Sequence, residues 1–432
     1  MIRRRATRQR GRANAYGAVA AQFSQAIGSF LLHVQAKSDL GLEGLATYAL
    51  LFGIIVVATA ISTGLVGDSL TVLDRATPGI RAGLQRWLGL VAIGVAITST
   101  LGAVAVGYLS PSDSVLFGVT SGIFVAEDAL RRLLMASLRF WSLVAVDTCA
   151  LVASVGTVFV AHEAGADVSI TTFLVALGLG QVLAGAMAIL LLPRAERWLA
   201  RGVRRELSAV WGYGAWRALQ QLLRPGMLTL VRVSIIAIVS ASAYGQLELA
   251  RLYVAPLMLM VSGGASYLFA SYARDRHSLL SRLRRRADRT VVLLMSVSCA
   301  AGVVAIVLAP HVASLITADD EEIRRLAVLG WTAYAASVAA VTPYGSLAAV
   351  RGRQGAVFAV RVGESVLSVV AVVALLVVEL PVATAPLAMA VVAALSGMVM
   401  RGWLLRDPRE SAGAALEHDG AEGLEHDPDV VQ

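Results

Sequence analysis

Few residues in this chain could do chemistry, and most of those few are arginines. Arg217, Arg224 and Arg232 lie inside the apolar stretch 209–241. Intervals of seven and eight residues put all three on one stripe of a helix. A charge at the centre of a bilayer costs roughly 2.5–3.5 kcal/mol on insertion scales, so such a stripe is either functional or structurally paired. Guanidinium groups offer planar, bidentate donors and stay charged when buried, which suits phosphate oxygens. Arg217 falls at the cytoplasmic interface, where its stem can reach water. Arg232, nine residues before the far end of the stretch, is the best buried cation. Pro225-Gly226 predicts a kink beside Arg224. Arg361 and Glu364, one turn apart, read either as an internal ion pair or as part of a cavity. The expectation is one cationic cavity joining Arg224, Arg232 and Arg361, with Arg217 near its mouth, able to hold a pyrophosphate.

The acids are candidates for ion coupling: Glu127, Asp128, Asp147 and Glu364. Arg131 and Arg132 follow Glu127 and Asp128 at helical spacing, which predicts a salt-bridged helix end near the cytoplasmic surface. Asp147 stands alone in its apolar run and could pair with an arginine of another span. Asp68 reads as interfacial, and Glu248 and Arg251 as a pair at an outer hairpin. Asn14, Gln22 and Gln25 fall near one helix face and could form a polar wall that contacts sugar hydroxyls. His33 reads as a polar residue near the outer mouth; its ordinary titration near neutrality leaves a proton-sensing role open. Cys149 and Cys299 lie in apolar runs, far from any CxxC spacing, so neither a disulfide framework nor a zinc site is implied. No Walker A, HExxH or GxSxG sequence occurs, and the reading includes no cofactor, no metal and no enzyme activity.

The elements that carry these residues follow from composition. Of 432 residues, 57% are hydrophobic and only 15% charged, against roughly a quarter charged in ordinary soluble domains. That excludes a disordered protein and disfavours a soluble enzyme. A membrane helix needs about 20 mainly apolar residues. Twelve such stretches are read: 14–36, 46–69, 85–109, 115–136, 142–161, 170–192, 209–241, 248–272, 290–316, 324–350, 356–379 and 385–404. They are too long for barrel strands. The fold class is therefore all-α integral membrane protein.

Lys37 is the sole lysine among 37 basic residues. Arginines lie in alternate loops, with 29 of the 37 bases on one side if the N-terminus is cytoplasmic. The positive-inside rule then places both termini in the cytoplasm. The same distribution reads the basic balance as a topology signal and not as nucleic-acid binding. The net charge of +8 hides a more basic membrane region: residues 411–432 hold six acids and no base, and without them the charge is +14. The organisation read is a basic arm (1–13), a six-helix lobe (14–192), a basic linker (193–208), a second six-helix lobe (209–405) and an acidic disordered tail (406–432).

The lobes echo each other weakly. Glu43 and Tyr48 in one match Glu248 and Tyr253 in the other, and Arg139 and Arg351 lead into the fifth span of each. Two six-span halves share one orientation, which implies a pseudo-twofold axis along the membrane normal. Leu40-Gly-Leu-Glu-Gly-Leu-Ala-Thr-Tyr48 and Leu130-Arg-Arg-Leu-Leu-Met-Ala-Ser-Leu-Arg-Phe140, followed by Asp147, carry a family likeness. The chain resembles the multidrug/oligosaccharidyl-lipid/polysaccharide (MOP) exporter superfamily over most of 14–405, and within it the Wzx-like oligosaccharide flippase branch. The resemblance implies a bacterial plasma-membrane flippase for a polyprenyl-pyrophosphate-linked oligosaccharide. It also implies partners in membrane lipids, polysaccharide polymerase and glycosyltransferases. Two alternatives stay open. A cation-coupled drug or metabolite antiporter would need buried acids, and here buried arginines outnumber them. A membrane enzyme of polysaccharide assembly would need a large outer loop, and the outer loops here are short.

Overall fold

The computed structural model describes residues 2–197, 206–274, 279–316 and 324–406. Side chains are described within these except at 2–16, 18–19, 22, 71, 195, 256, 259–271, 273–274 and 309–316. The acidic tail, most of the basic linker, and the side chains of Asn14 and Gln22 lie outside the described set.

Twelve long helices follow one another, and no strand occurs among the described residues. α1 (2–40) and α2 (42–72) are separated by Gly41, at φ 68° and ψ −165°. That conformation is essentially restricted to glycine, and it turns the chain back on itself. The rings of His33 and Tyr48 consequently meet at 4.8 Å, although 15 residues of straight helix would hold them about 22 Å apart. α2 ends through a π-wound turn, Thr63–Gly67, and a short helical stretch, Asp68–Val72. Then come α3 (Pro78–Val106), α4 (Pro111–Ala136), α5 (Phe140–Glu163), α6 (Ile170–Leu191), α7 (Leu207–Ile238), α8 (Ala241–Arg274), α9 (Leu280–Ile316), α10 (Arg325–Val350), α11 (Gln354–Val377) and α12 (Ala385–Val399). Proline opens α3, α4 and α12, where its missing N–H goes unneeded.

Among the described residues, nine segments are long and apolar enough to cross a membrane, the first spanning both α1 and α2. α4 is not among them, because Glu127, Asp128, Arg131 and Arg132 interrupt its apolar run. α9 starts ten residues before the expected 290. Arginine is a good helix former, so the basic stretch from Arg282 to Arg289 winds into the helix and buries Leu283 and Ala287. α7 keeps helical backbone through Pro225; the proline costs one hydrogen bond without breaking the helix. Ile93, Ile97 and Leu101 on α3, Val152 and Phe159 on α5 and Val303 and Val307 on α9 point outward. In water these faces would form apolar patches far larger than a soluble monomer carries; in lipid they are the natural surface.

The helices pack in two halves with the same plan. α1 packs on α5, α3 on α4, α4 on α6 and α5 on α6; correspondingly α7 packs on α11, α9 on α10, α10 on α12 and α11 on α12. The Glu/Tyr echo is not part of this correspondence: Glu43 is exposed while Glu248 is fully buried.

The halves meet along an antiparallel seam of α2 and α7. Ala49 faces Arg232, Gly53 faces Thr229, Gly64 faces Ala218, Leu65 faces Gly214 and Asp68 faces Arg217. A Cβ at Gly64 would overlap the backbone of Ala218, and one at Gly214 the backbone of Leu65. The missing side chains let the backbones approach, as small residues do between membrane helices. Further contacts flank the seam. At one end the backbone of Leu42 lies against Gly245. At the other, Trp87 Nε1 donates to Leu207 O at 3.1 Å and Glu206 N to Gly79 O at 3.1 Å.

Candidate functional site

The polar residues gather in three places. The first lies inside the first half, in a cavity of about 300 Å³ between α1, α2, α4, α5 and α6. Helical spacing puts Glu127 and Arg131 on one face of α4 and Asp128 and Arg132 beside them. Arg131 is 4% exposed and forks onto Asp147 of α5, its Nε donating to Oδ1 at 2.9 Å and its Nη2 to Oδ2 at 3.1 Å. The same Nη2 donates to Gln25 Oε1 at 3.2 Å. Glu127 Oε1 lies 3.9 Å from Arg131 Nε. Asp128 accepts from Thr63 Oγ1 at 2.8 Å and faces Arg132 at 3.5 Å. Thr59, Ser154, Gln181, Phe52 and Phe124 complete the wall. A bidentate pair of this kind is the geometry in which a buried guanidinium recovers its desolvation cost.

This arrangement corrects one expectation and bears out another. Glu127, Asp128 and Arg131 are not a helix end at the surface: α4 runs on to Ala136, so they sit about 8–13 Å inside it by helical rise. Asp147 pairs with an arginine of another span, as its isolation in an apolar run suggested; that arginine is Arg131, read in the sequence as part of the basic loop. The i−4 carboxylate of Arg131 was legible in sequence. Its pairing with α5, which fixes it in the interior, is a tertiary fact.

The second cluster links the halves at the end of α7 remote from the arginine-rich loops. Glu248 is fully buried; it accepts from Arg251 Nε at 2.8 Å and from the Tyr244 hydroxyl at 2.7 Å. His33 of α1 approaches with Nε2 at 3.9 Å while its Nδ1 donates to Ser29 O at 2.6 Å. Arg232 Nη1 donates to Ala49 O at 3.1 Å across the seam, in space that exists because Gly53 has no side chain. Arg232 shares a small void with Arg251, Tyr244 and Trp331.

The third is a pocket of about 190 Å³ between α7 and α11, lined by Arg217, Gln220, Leu223, Ala349, Gln354, Val357, Phe358 and Arg361. Arg217 Nε donates to Asp68 Oδ2 at 2.8 Å and its Nη1 to Gln220 Oε1 at 2.8 Å. Arg361 Nη1 donates to Glu364 Oε2 at 3.0 Å, an oxygen that also accepts from Ser396 Oγ at 2.8 Å. Trp216 and Phe358 lie ring against ring at 4.5 Å. Arg224 is exposed, its Cζ 5.8 Å from the centre of the Tyr334 ring.

Arg224, Arg232 and Arg361 therefore do not form one cavity. The stripe on α7 is as the spacing predicts, but Arg217 and Arg232 are 15 residues apart, about 22 Å along the axis. Arg361 is the eighth residue of α11, which starts at the same end as α7. It is thus level with Arg217 and far from Arg232. Sequence reasoning missed Thr59 and Gln181 as cavity residues, Thr63 as the hydroxyl donor to Asp128, and the Asp68–Arg217 bridge between halves. Nothing local in the sequence marks them. No group of three or more His, Cys, Asp and Glu residues able to hold a metal occurs among the described residues.

No protein-family model and no curated protein matches the sequence. Solved structures do share its fold. An inward-facing multidrug resistance MATE family transporter of the MOP superfamily superposes with a TM-score of 0.67 at 14% identity, covering 93% of this chain and 99% of the other. An outward-facing structure with the same family description gives 0.62 at 14%, covering 93% and 95%. A MATE in complex with MaL6 gives 0.62 at 14%, covering 94% and 97%. The fold is that of MATE transporters of the MOP superfamily.

Proposed function

We propose that the protein is a transporter that moves a polyprenyl-pyrophosphate-linked oligosaccharide across the bacterial plasma membrane, with alternate exposure of the space between its halves. The fold supports a MOP-type transporter. The observation that carries the substrate reading is the row of guanidinium groups on α7, with Arg361 level with the first of them. Arg217, Arg224 and Arg232 are spaced about 10–12 Å apart along the helix, and so form a ladder of cations. In this reading Arg217 and Arg361 receive the pyrophosphate at the arginine-rich, cytoplasmic end, and Arg224 and Arg232 meet it further along. Gln25, with Asn14 and Gln22, contributes to the polar wall for sugar. Polysaccharide polymerase and glycosyltransferases would handle the same lipid on either side.

A second reading, a cation-coupled drug or metabolite antiporter, is favoured by the carboxylates of the first-half cavity, Glu127, Asp128 and Asp147; Glu364 is its counterpart acid in the second half. Depletion of the protein in its host separates the two. A flippase loss traps lipid-linked sugar in the inner leaflet, read by an impermeant lectin, whereas unchanged sidedness with new drug sensitivity identifies the antiporter. Arg232→Ala and Arg361→Ala are each expected to abolish transport while the protein remains folded in the membrane. Normal transport by both variants refutes the cationic ladder.

A further inference from the structure

The two halves hold polar cavities at one depth. Asp147 is the eighth residue of α5, and Arg361 the eighth of α11. α5 packs on α1 as α11 packs on α7, so the repeat sets a carboxylate and a guanidinium level with each other in opposite halves. Around Asp147 the cavity wall carries three carboxylates against Arg131. Around Arg361 the pocket carries a second arginine and two glutamines, Arg217 being paired with Asp68 and Arg361 with Glu364, and both guanidinium groups border the open space.

In the first-half cavity the cations are already engaged. Arg131 is forked onto Asp147, and Asp128 has both Arg132 and the Thr63 hydroxyl. Glu127 is what remains. It is 6% exposed and lines the cavity, and no hydrogen-bond donor reaches it among the described residues. Its nearest cationic atom, Arg131 Nε, lies at 3.9 Å, beyond hydrogen-bonding range. A carboxylate this buried calls for a proton or a cation. The adjoining space of about 300 Å³ holds far more than a proton. Phe52 and Phe124 border it, and aromatic faces attract an organic cation.

We infer that the cargo is zwitterionic: a diphosphate-linked sugar that carries a free ammonium group. Glu127 accepts the ammonium in the first half, while Arg217 and Arg361 hold the diphosphate in the second. This rests on the flippase reading and adds the charge that the sugar must bear. Opposite charges at the two ends orient the cargo and disfavour its inversion, since each end would then meet its own sign.

The test is equilibrium binding to the full-length protein in detergent micelles of two radiolabelled probes: a farnesyl-diphosphate-linked oligosaccharide whose sugar remote from the lipid is glucosamine, and its N-acetylated form, measured at a pH where the amine is charged. The free-amine probe is expected to bind about tenfold or more tightly than the acetylated one, as a charge-assisted hydrogen bond predicts. In Glu127→Gln, which keeps the side-chain shape, this ratio falls to about one. Arg361→Gln weakens both probes. A ratio near one in the unaltered protein, or a ratio that survives in Glu127→Gln, refutes the ammonium site. If binding still depends on Arg361 in that case, the diphosphate reading stands. If neither probe binds, or Arg361→Gln changes neither, the flippase reading falls and this inference with it.

Discussion

Replacing Arg131 with Gln should unmask how the first half is held together. The guanidinium is 4% exposed and Asp147 8% exposed, and the two are joined by bonds of 2.9 and 3.1 Å. Taking away one partner of such a pair leaves an uncompensated buried charge and costs about 3–5 kcal/mol. The reverse change, Asp147→Asn, should cost less, about 1–2 kcal/mol, because Glu127 waits 3.9 Å away and can close on Arg131. The double variant then lies below the sum of the singles by about 1–2 kcal/mol, the coupling expected of residues in contact. The assay is equilibrium unfolding of the purified protein by SDS in mixed micelles, followed by tryptophan fluorescence. Three outcomes would refute the reasoning: a cost for Arg131→Gln below about 0.5 kcal/mol, equal costs for both singles, or strict additivity. Each would mean that the site behaves as a solvated surface pair and that α4 is not pinned to α5 from within.

Two further outcomes follow from backbone geometry. Gly41→Ala places a Cβ on a residue at φ 68°, ψ −165° and should destabilise the α1–α2 turn by about 1–3 kcal/mol, seen as a lowered unfolding midpoint and faster proteolysis between 37 and 45. Gly214→Ala forces a methyl group against the Leu65 carbonyl and should cost about 1–3 kcal/mol through overpacking. Gly212→Ala, at a position with open space around it, serves as the comparison and should change the midpoint by less than about 1 kcal/mol.

What the sequence made legible was everything that depends on period. Run length and composition located the helices, because crossing lipid imposes a minimum apolar length. The stripe of Arg217, Arg224 and Arg232 followed from spacing along one helix. What sequence could not supply was depth and partner. Arg131 looked like a member of a basic loop, since its neighbours Arg132 and Arg139 are basic too; only the approach of α5 makes it internal. Arg361 was grouped with Arg232 because both are cations in apolar runs. The end at which each helix begins puts them on different levels, and that comparison needs the two helices side by side. The Glu43–Tyr48 echo was a coincidence of letters, whereas the true repeat resides in which helix packs on which.

The glycine seam limits how the halves can move. At Gly64 and Gly214 the opposing surface is backbone, with no room for a methyl group on either side. Sliding α2 along α7 by one turn, about 5.4 Å, would bring Val210 or Ala218 to the place of Gly214 and drive side chains into that backbone. Translation along the seam is therefore blocked, while rotation about it keeps the same atoms in touch. The pair resists sliding of one half along the other and leaves rotation about the contact as the motion it opposes least. A change from one exposed face to the other then has to come from rocking about this contact, and not from one half sliding past its neighbour.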